Sequence, residues 1–179
     1  MPVHLAFLRA VNVGRRAYPM AELRAALEAA GFDEVATHIQ TGNVRVRTSL
    51  RSQPKVAAQL ERAFATDRGF DVPTVVLSPA ELSAVADDVD ELSAELAPEF
   101  GHYVSLLRAA PDAATAAAIE HASVPGQRLV VRPRAVHLLY DVPYHEATLS
   151  NAFVERLAGV ATNRNAKVLR ALREKWGDA

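Results

Sequence analysis

Two guanidinium groups and four carboxamides are the residues of this sequence whose types suit recognition chemistry: Arg9, Asn12, Gln40, Asn43, Arg164 and Asn165. Arginine forks and amide side chains match a planar carboxylate, a phosphate or a base edge. Gly14, two residues after Asn12, lets backbone approach a ligand closely. The competing reading needs no ligand. In it Arg9 and Asn12 hydrogen-bond to backbone carbonyls to hold their loop, while Gln40 and Asn43 pin a hairpin.

Other chemistry is thinner. His38 and Arg45 are expected as cross-strand neighbours, an arrangement in which Arg lowers the His pKa and no nucleophile accompanies it. An enzyme would use His38 as acid or base; a solvated or interfacial histidine is the plainer reading. His137 falls in an apolar run with Leu138 and Leu139 and reads as a satisfied, partly buried histidine. His4, His102, His121 and His145 show no metal-ligand spacing. The serines, Ser93 among them, lack a Gly-x-Ser-x-Gly elbow. Asn12-Val13-Gly14-Arg15-Arg16 is a poor phosphate loop, and no dinucleotide fingerprint is present. No cofactor or metal is expected, and no reaction is legible.

The elements that must position these residues follow from periodicity. Val3 to Leu8 is a continuous apolar run, expected as a strand buried on both faces. Pro19 opens a helix whose stripe is Met20, Leu23, Ala26, Leu27 and Ala30, and Gly31 stops it. Val35 to Gln40 and Asn43 to Thr48 form a hairpin turning at Thr41-Gly42, which pairs Ile39 with Val44 and His38 with Arg45. Ile39, Val44 and Val46 then share one face. A helix from Ser52 to about Gly69 and a strand from Val72 to Leu77 complete βαββαβ, the ferredoxin-like split βαβ order.

A short helix begins at Ser78-Pro79, and an acidic stretch from Asp87 to Glu99 closes with Pro98. Without a glycine or spaced oxygen ligands that stretch reads as a solvated face rather than a metal site. Then the pattern repeats: a strand from His102 to Arg108, an Ala-rich helix, and a hairpin across Pro133-Arg134 that sets His137 opposite Val130. A helix from Ala147 to Leu157, at most a rudimentary last strand, and a helix from about Asn165 to Trp176 follow. The expected fold is α+β, two similar ferredoxin-like (βαββαβ-type) halves with antiparallel sheets packed together. The expected divisions are 1–78, an acidic helical connection over 79–100, and 101–179 with C-terminal helices. In such a half the first strand is central beside the third, which brings Arg9 and Asn12 to one end of the Asn43 strand.

Composition narrows the partners. The 179 residues carry a net charge of -1, which argues against a general polyanion binder. RNA binding on a ferredoxin-like sheet needs stacking aromatics, and Asn43 to Thr48 has none, so a nucleic-acid partner is not expected. The absence of Cys excludes disulfides, thiolate metal sites and Cys nucleophiles. No apolar run is long enough to span a bilayer and the N-terminus lacks signal-peptide features, so a cytoplasmic protein without a membrane partner is expected. Oligomeric state is not legible.

Several stretches together resemble a bacterial family catalogued as domain of unknown function 1697. They are Phe7-Leu8-Arg9-Ala10-Val11-Asn12-Val13-Gly14, Tyr18-Pro19-Met20-Ala21-Glu22-Leu23-Arg24, Thr37-His38-Ile39-Gln40-Thr41-Gly42-Asn43-Val44 and Thr148-Leu149-Ser150-Asn151-Ala152-Phe153. The resemblance covers nearly the whole chain and implies two similar ferredoxin-like halves; it supplies no catalytic residues. Ala10 replaces the family's usual Gly and Thr41 its Ser. Thr162-Asn163-Arg164-Asn165-Ala166-Lys167-Val168 keeps the late Arg-Asn pair but lacks the family's Trp. Two functions remain open: binding of a small anionic or polar ligand through Arg9, Asn12, Gly14, Gln40, Asn43, Arg164 and Asn165, or a non-enzymatic protein-interaction module scaffolded by them.

Overall fold

The computed structural model describes residues 1–178 and divides into two units, residues 1–80 with the tail from Trp176, and Glu81–Lys175. The first unit runs β1 (Val3–Leu8), α1 (Met20–Ala29), β2 (Asp33–His38), β3 (Asn43–Arg47), α2 (Gln53–Arg68) and β4 (Thr74–Leu77). Its antiparallel sheet has the order β2-β3-β1-β4. The apolar run of β1 is buried on both faces: Leu5, Ala6, Phe7 and Leu8 are all at most 1% exposed. Ala6 and Leu8 share a core with Leu23 and Leu27 of α1 and with Val56, Leu60 and Phe64 of α2, the stripes that helical periodicity picks out.

The second unit repeats the plan. It runs α3 (Pro79–Leu96), β5 (Gly101–Leu107), α4 (Ala113–His121), β6 (Gln127–Arg132), β7 (Ala135–Tyr140), a 3-10 turn at Tyr144–Glu146, α5 (Asn151–Ala158), β8 (Ala161–Asn165) and α6 (Ala166–Trp176). The sheet order is β6-β7-β5-β8, the same arrangement as in the first unit. Leu107, Val136, Leu138 and Tyr140 face one core with Ile119 of α4 and Val154 of α5. The short helix expected at Ser78-Pro79 and the acidic stretch as far as Glu95 are one continuous helix, α3, which ends at Leu96. The last strand is not rudimentary: β8 pairs with β5 along five residues, from Tyr103 opposite Asn165 to Leu107 opposite Ala161. Its polar sequence hides it, because Thr162 and Arg164 are buried despite their type.

The first hairpin differs from its expected register. His38 pairs with Asn43 and Thr37 with Val44, so Ile39 to Gly42 form a four-residue connection and Arg45 lies opposite Ala36. Ile39 sits in this turn at φ +51, 45% exposed, rather than on the face of Val44 and Val46. The side chain of Asn43 explains the wider turn. It is fully buried, and its Nδ2 donates to His38 O (3.1 Å) and Thr41 Oγ1 (3.0 Å), closing the loop from inside. Gly42 is required at φ +76: a Cβ there would lie 2.6 Å from Val11 Cγ2 and 2.7 Å from Leu8 Cβ. The second hairpin keeps its expected pairing, with His137 opposite Val130.

Candidate functional site

In the first unit the loop after β1 and the hairpin turn converge, as the strand order requires. Asn12, at φ +55, accepts from Tyr18 N at Oδ1 (2.7 Å), and its Nδ2 donates to Tyr18 O (3.1 Å) and Gln40 O (2.7 Å). Leu8 N donates to Gly42 O (2.8 Å), and Arg9 N donates to Pro73 O (2.9 Å). Asn12 and Gln40 are therefore joined directly, and Asn43 closes the same turn. The Asn12 amide is spent on holding backbone, while the Gln40 contact uses its carbonyl and leaves its side chain exposed. Arg9 is half-buried at the end of β1. Gly14, at φ +59, stands in open space with nothing near an added Cβ. His38 lies edge-on to Trp176 (centroids 6.2 Å apart), while Arg45 ion-pairs with Glu34 (3.2 Å), so the two are not the expected cross-strand neighbours.

Arg164 and Asn165 belong to the second unit, at the end of β8. Arg164 is 6% exposed, and its guanidinium donates to Thr162 Oγ1 (3.0 Å) and Asn163 O (2.7 Å). Burial lowers its pKa to about 10, which leaves it cationic at neutral pH. Asn165 is exposed, and its Oδ1 accepts from Val168 N (2.8 Å), the N-cap arrangement that starts α6.

Another group of titratable side chains in this unit is one that sequence reasoning missed. His137, Val104 and Arg164 occupy adjacent positions across β7, β5 and β8. Cross-strand partners share a face, so the two cationic-capable side chains lie on the side away from Val136 and Leu138. On that side His102 Nε2 is 2.9 Å from His137 Nδ1, and His102 Nδ1 is 2.8 Å from Ser93 Oγ. Arg170 of α6 donates to Ser93 Oγ (3.2 Å) and to Asp90 Oδ1 (2.6 Å). Hydrogen bonds thus run Asp90–Arg170–Ser93–His102–His137, drawn from α3, α6, β5 and β7. His137 is not satisfied as expected: it is fully buried, and its Nε2 has no hydrogen-bond partner. Burial first, and then the Arg170 charge, lower the His102 pKa to about 4. Burial, His102 and Arg132 lower that of His137 to about 3. Both rings are neutral at pH 7.

This group opens on a cavity of about 480 Å³ whose wall includes Ser93, His102, Tyr103, Asn165, Lys167 and Arg170. Lys167 is exposed and forms no ion pair among the described residues. Within the acidic run Asp88 pairs with Arg132, Asp87 pairs with Arg173, and Asp90 pairs with both Arg170 and Arg173. The Arg170 and Arg173 hydrogen bonds hold the Asp90 carboxyl below the usual range. A larger hollow of about 650 Å³ lies between α1 and α2, but half of its lining is alanine and Gln59 there is committed to Ala30 O (2.9 Å). No group of three or more metal-ligating side chains occurs among the described residues.

A signal for the missed group existed. His102 and His137 stand at buried positions in largely apolar strands, and Ser93 continues the buried α3 stripe of Leu82, Ala86 and Val89 at helical spacing. A polar residue at a core position needs a partner. Three such residues in one half form a set worth pairing.

The comparisons with known proteins bear on fold and family. A model of the family described as "Protein of unknown function (DUF1697)" matches residues 1–137. The solved structure of a conserved bacterial protein from Streptococcus pneumoniae superposes with a TM-score of 0.71, covering 98% of each chain. At 21% identity that likeness concerns the fold. No curated protein matches the chain. Among the described residues no helix is long and apolar enough to cross a membrane.

Proposed function

The chain belongs to the DUF1697 family of proteins of unknown function, and on that premise we propose that it binds a small anionic ligand in the cavity of its second unit. The observation that carries this reading is the uncompensated Lys167 facing the same 480 Å³ hollow as Arg170. The hollow has the size of a small-molecule site. The Lys167 ammonium acts as a point charge, the Arg170 guanidinium adds directed donors, and Ser93 and Asn165 add neutral polar edges. Phosphates and carboxylates are the groups such a wall recognises. Of the residues that drew attention in the sequence, Asn165 lies on this wall. Arg164 is one position away in β8 and adds long-range positive potential. Arg9, Asn12, Gly14, Gln40 and Asn43 support the first unit's loop and hairpin, with the Gln40 side chain and the open backbone at Gly14 available to a polar ligand there.

A thermal-shift series with inorganic phosphate, sugar phosphates, nucleotides and small carboxylates tests this. A ligand at about 100 times its dissociation constant stabilises the native state by about 2.7 kcal/mol. The expected result is a rise in melting temperature that is lost in Lys167→Ala and retained in Asn12→Ala. No rise with any anion overturns the reading.

A second reading rests on Val13 and Ile39, which are 55% and 45% exposed in the first unit's converging loop and turn. Two apolar side chains presented on a braced backbone suit a protein partner. Loss of a co-purifying partner in a Val13→Ser, Ile39→Ser double variant is the result that favours it.

A further inference from the structure

A serine inside a helix ordinarily bonds back to a preceding carbonyl or points to water. Ser93 instead bonds two side chains from other elements, His102 Nδ1 at 2.8 Å and Arg170 at 3.2 Å. We infer that Ser93 is the nucleophile of an acyl-transfer site, with His102 as its general base and His137 holding His102 in the productive tautomer. The inference rests on the reading of the adjoining cavity as an anion site. The donors fix the direction of the chain. A guanidinium only donates, so Arg170 occupies one lone pair of Ser93 Oγ and the hydroxyl proton goes to His102 Nδ1. His102 then carries its own proton on Nε2 and donates it to His137 Nδ1, 2.9 Å away.

The end of the chain argues against a merely structural pair. His137 Nε2 is left buried without a partner, which costs its desolvation with no hydrogen bond in return. Its neighbours Val104 and Leu139 show that an apolar side chain fits this face. An unsatisfied buried polar group retained beside a nucleophile and a cavity is a mark of function.

The chemistry balances within these groups. Ser93 Oγ attacks the carbonyl carbon of a bound ester or thioester while its proton passes to His102 Nδ1. The developing oxyanion forms beside the Arg170 guanidinium, and Lys167 holds the substrate's carboxylate or phosphate. Collapse expels the alcohol or thiol, which takes the proton from His102. Water then attacks the acyl-serine, losing its proton to His102, and collapse releases the acid as His102 returns that proton to Ser93 Oγ. The leaving alcohol or thiol takes its proton from His102, and Lys167 stands on the same wall to hold an anionic group, so the substrate class is a small anionic ester or thioester.

The test is phosphonylation by a tagged alkyl fluorophosphonate, followed by intact mass and peptide mapping, beside a calorimetric titration with inorganic phosphate. One adduct is expected, on Ser93, with fluoride as leaving group. Labelling should be absent in Ser93→Ala, and its rate should fall on the order of 100-fold in His102→Gln. His137→Gln, whose amide oxygen accepts from His102 Nε2, should retain labelling, and His137→Leu should lose it. Mapping the adduct in the native protein decides the matter even if a variant misfolds. No adduct, or an adduct elsewhere, overturns the inference. If phosphate still binds, the anion site stands without the chemistry; if phosphate fails as well, both fall.

Discussion

The buried histidine pair makes stability fall steeply in mild acid. A histidine whose folded pKa lies below its unfolded value binds its proton more readily in the unfolded chain, so acid favours unfolding. His102 and His137 are held near 4 and 3 against an ordinary 6.5. Between pH 6.5 and pH 5 both remain neutral in the native state while both titrate in the unfolded one. Each pH unit is worth about 1.36 kcal/mol per such group. Over 1.5 units each ring therefore contributes about 2 kcal/mol, and the pair about 4 kcal/mol. That is a large fraction of the 5–15 kcal/mol typical of native proteins. The pair is 6% and 0% exposed, so solvent does little to screen it. Nearby charges act in the same direction: Arg170 faces His102 and Arg132 faces His137. Urea unfolding followed by circular dichroism at pH 7 and pH 5 measures the loss. The His102→Gln, His137→Gln variant keeps hydrogen-bonding groups but not the titration, and should lose about 4 kcal/mol less than the native protein over this range. An equal loss in both proteins would refute the reasoning, because the remaining four histidines and all carboxylates are common to them.

Other outcomes follow from the first unit. Gly42→Ala places a Cβ against Val11 and Leu8 at a left-handed position and should destabilise by about 2 kcal/mol or more in the same unfolding assay. Asn12→Ala removes three hydrogen bonds that brace loop and turn, and should cost about 1–3 kcal/mol while leaving phosphate affinity unchanged. Ile39→Gly relieves a β-branched residue at φ +51 with a half-exposed side chain, and should be neutral or stabilising.

Much of this architecture is legible in the sequence because apolar periodicity writes it directly. The double-sided burial of β1, the stripes of α1 and α2 and the repeated element order all follow from it. What escapes has a common physical cause. Ile39 belongs by type to a strand, yet the buried Asn43 amide captures the His38 carbonyl and moves the turn. Strand β8 carries Thr162 and Arg164 at buried positions, where polarity normally argues for a loop. The convergence of Asn12 with Gln40 was readable from strand order, but periodicity does not say whether an amide is spent on backbone or offered to a ligand. The Ser93–His102–His137 set joins residues up to 44 positions apart in sequence, from one helix and two strands. Spacing rules for local motifs do not reach that far.

A calorimetric titration of inorganic phosphate into the full chain at pH 7.5, at low and at high salt, tests the anion site most directly. Binding is expected at low salt, weakened by added salt as screening requires, and reduced on the order of tenfold in Lys167→Ala, about 1.4 kcal/mol. Salt-insensitive heats that Lys167→Ala leaves unchanged, or no binding at all, would contradict the assignment of the second-unit cavity.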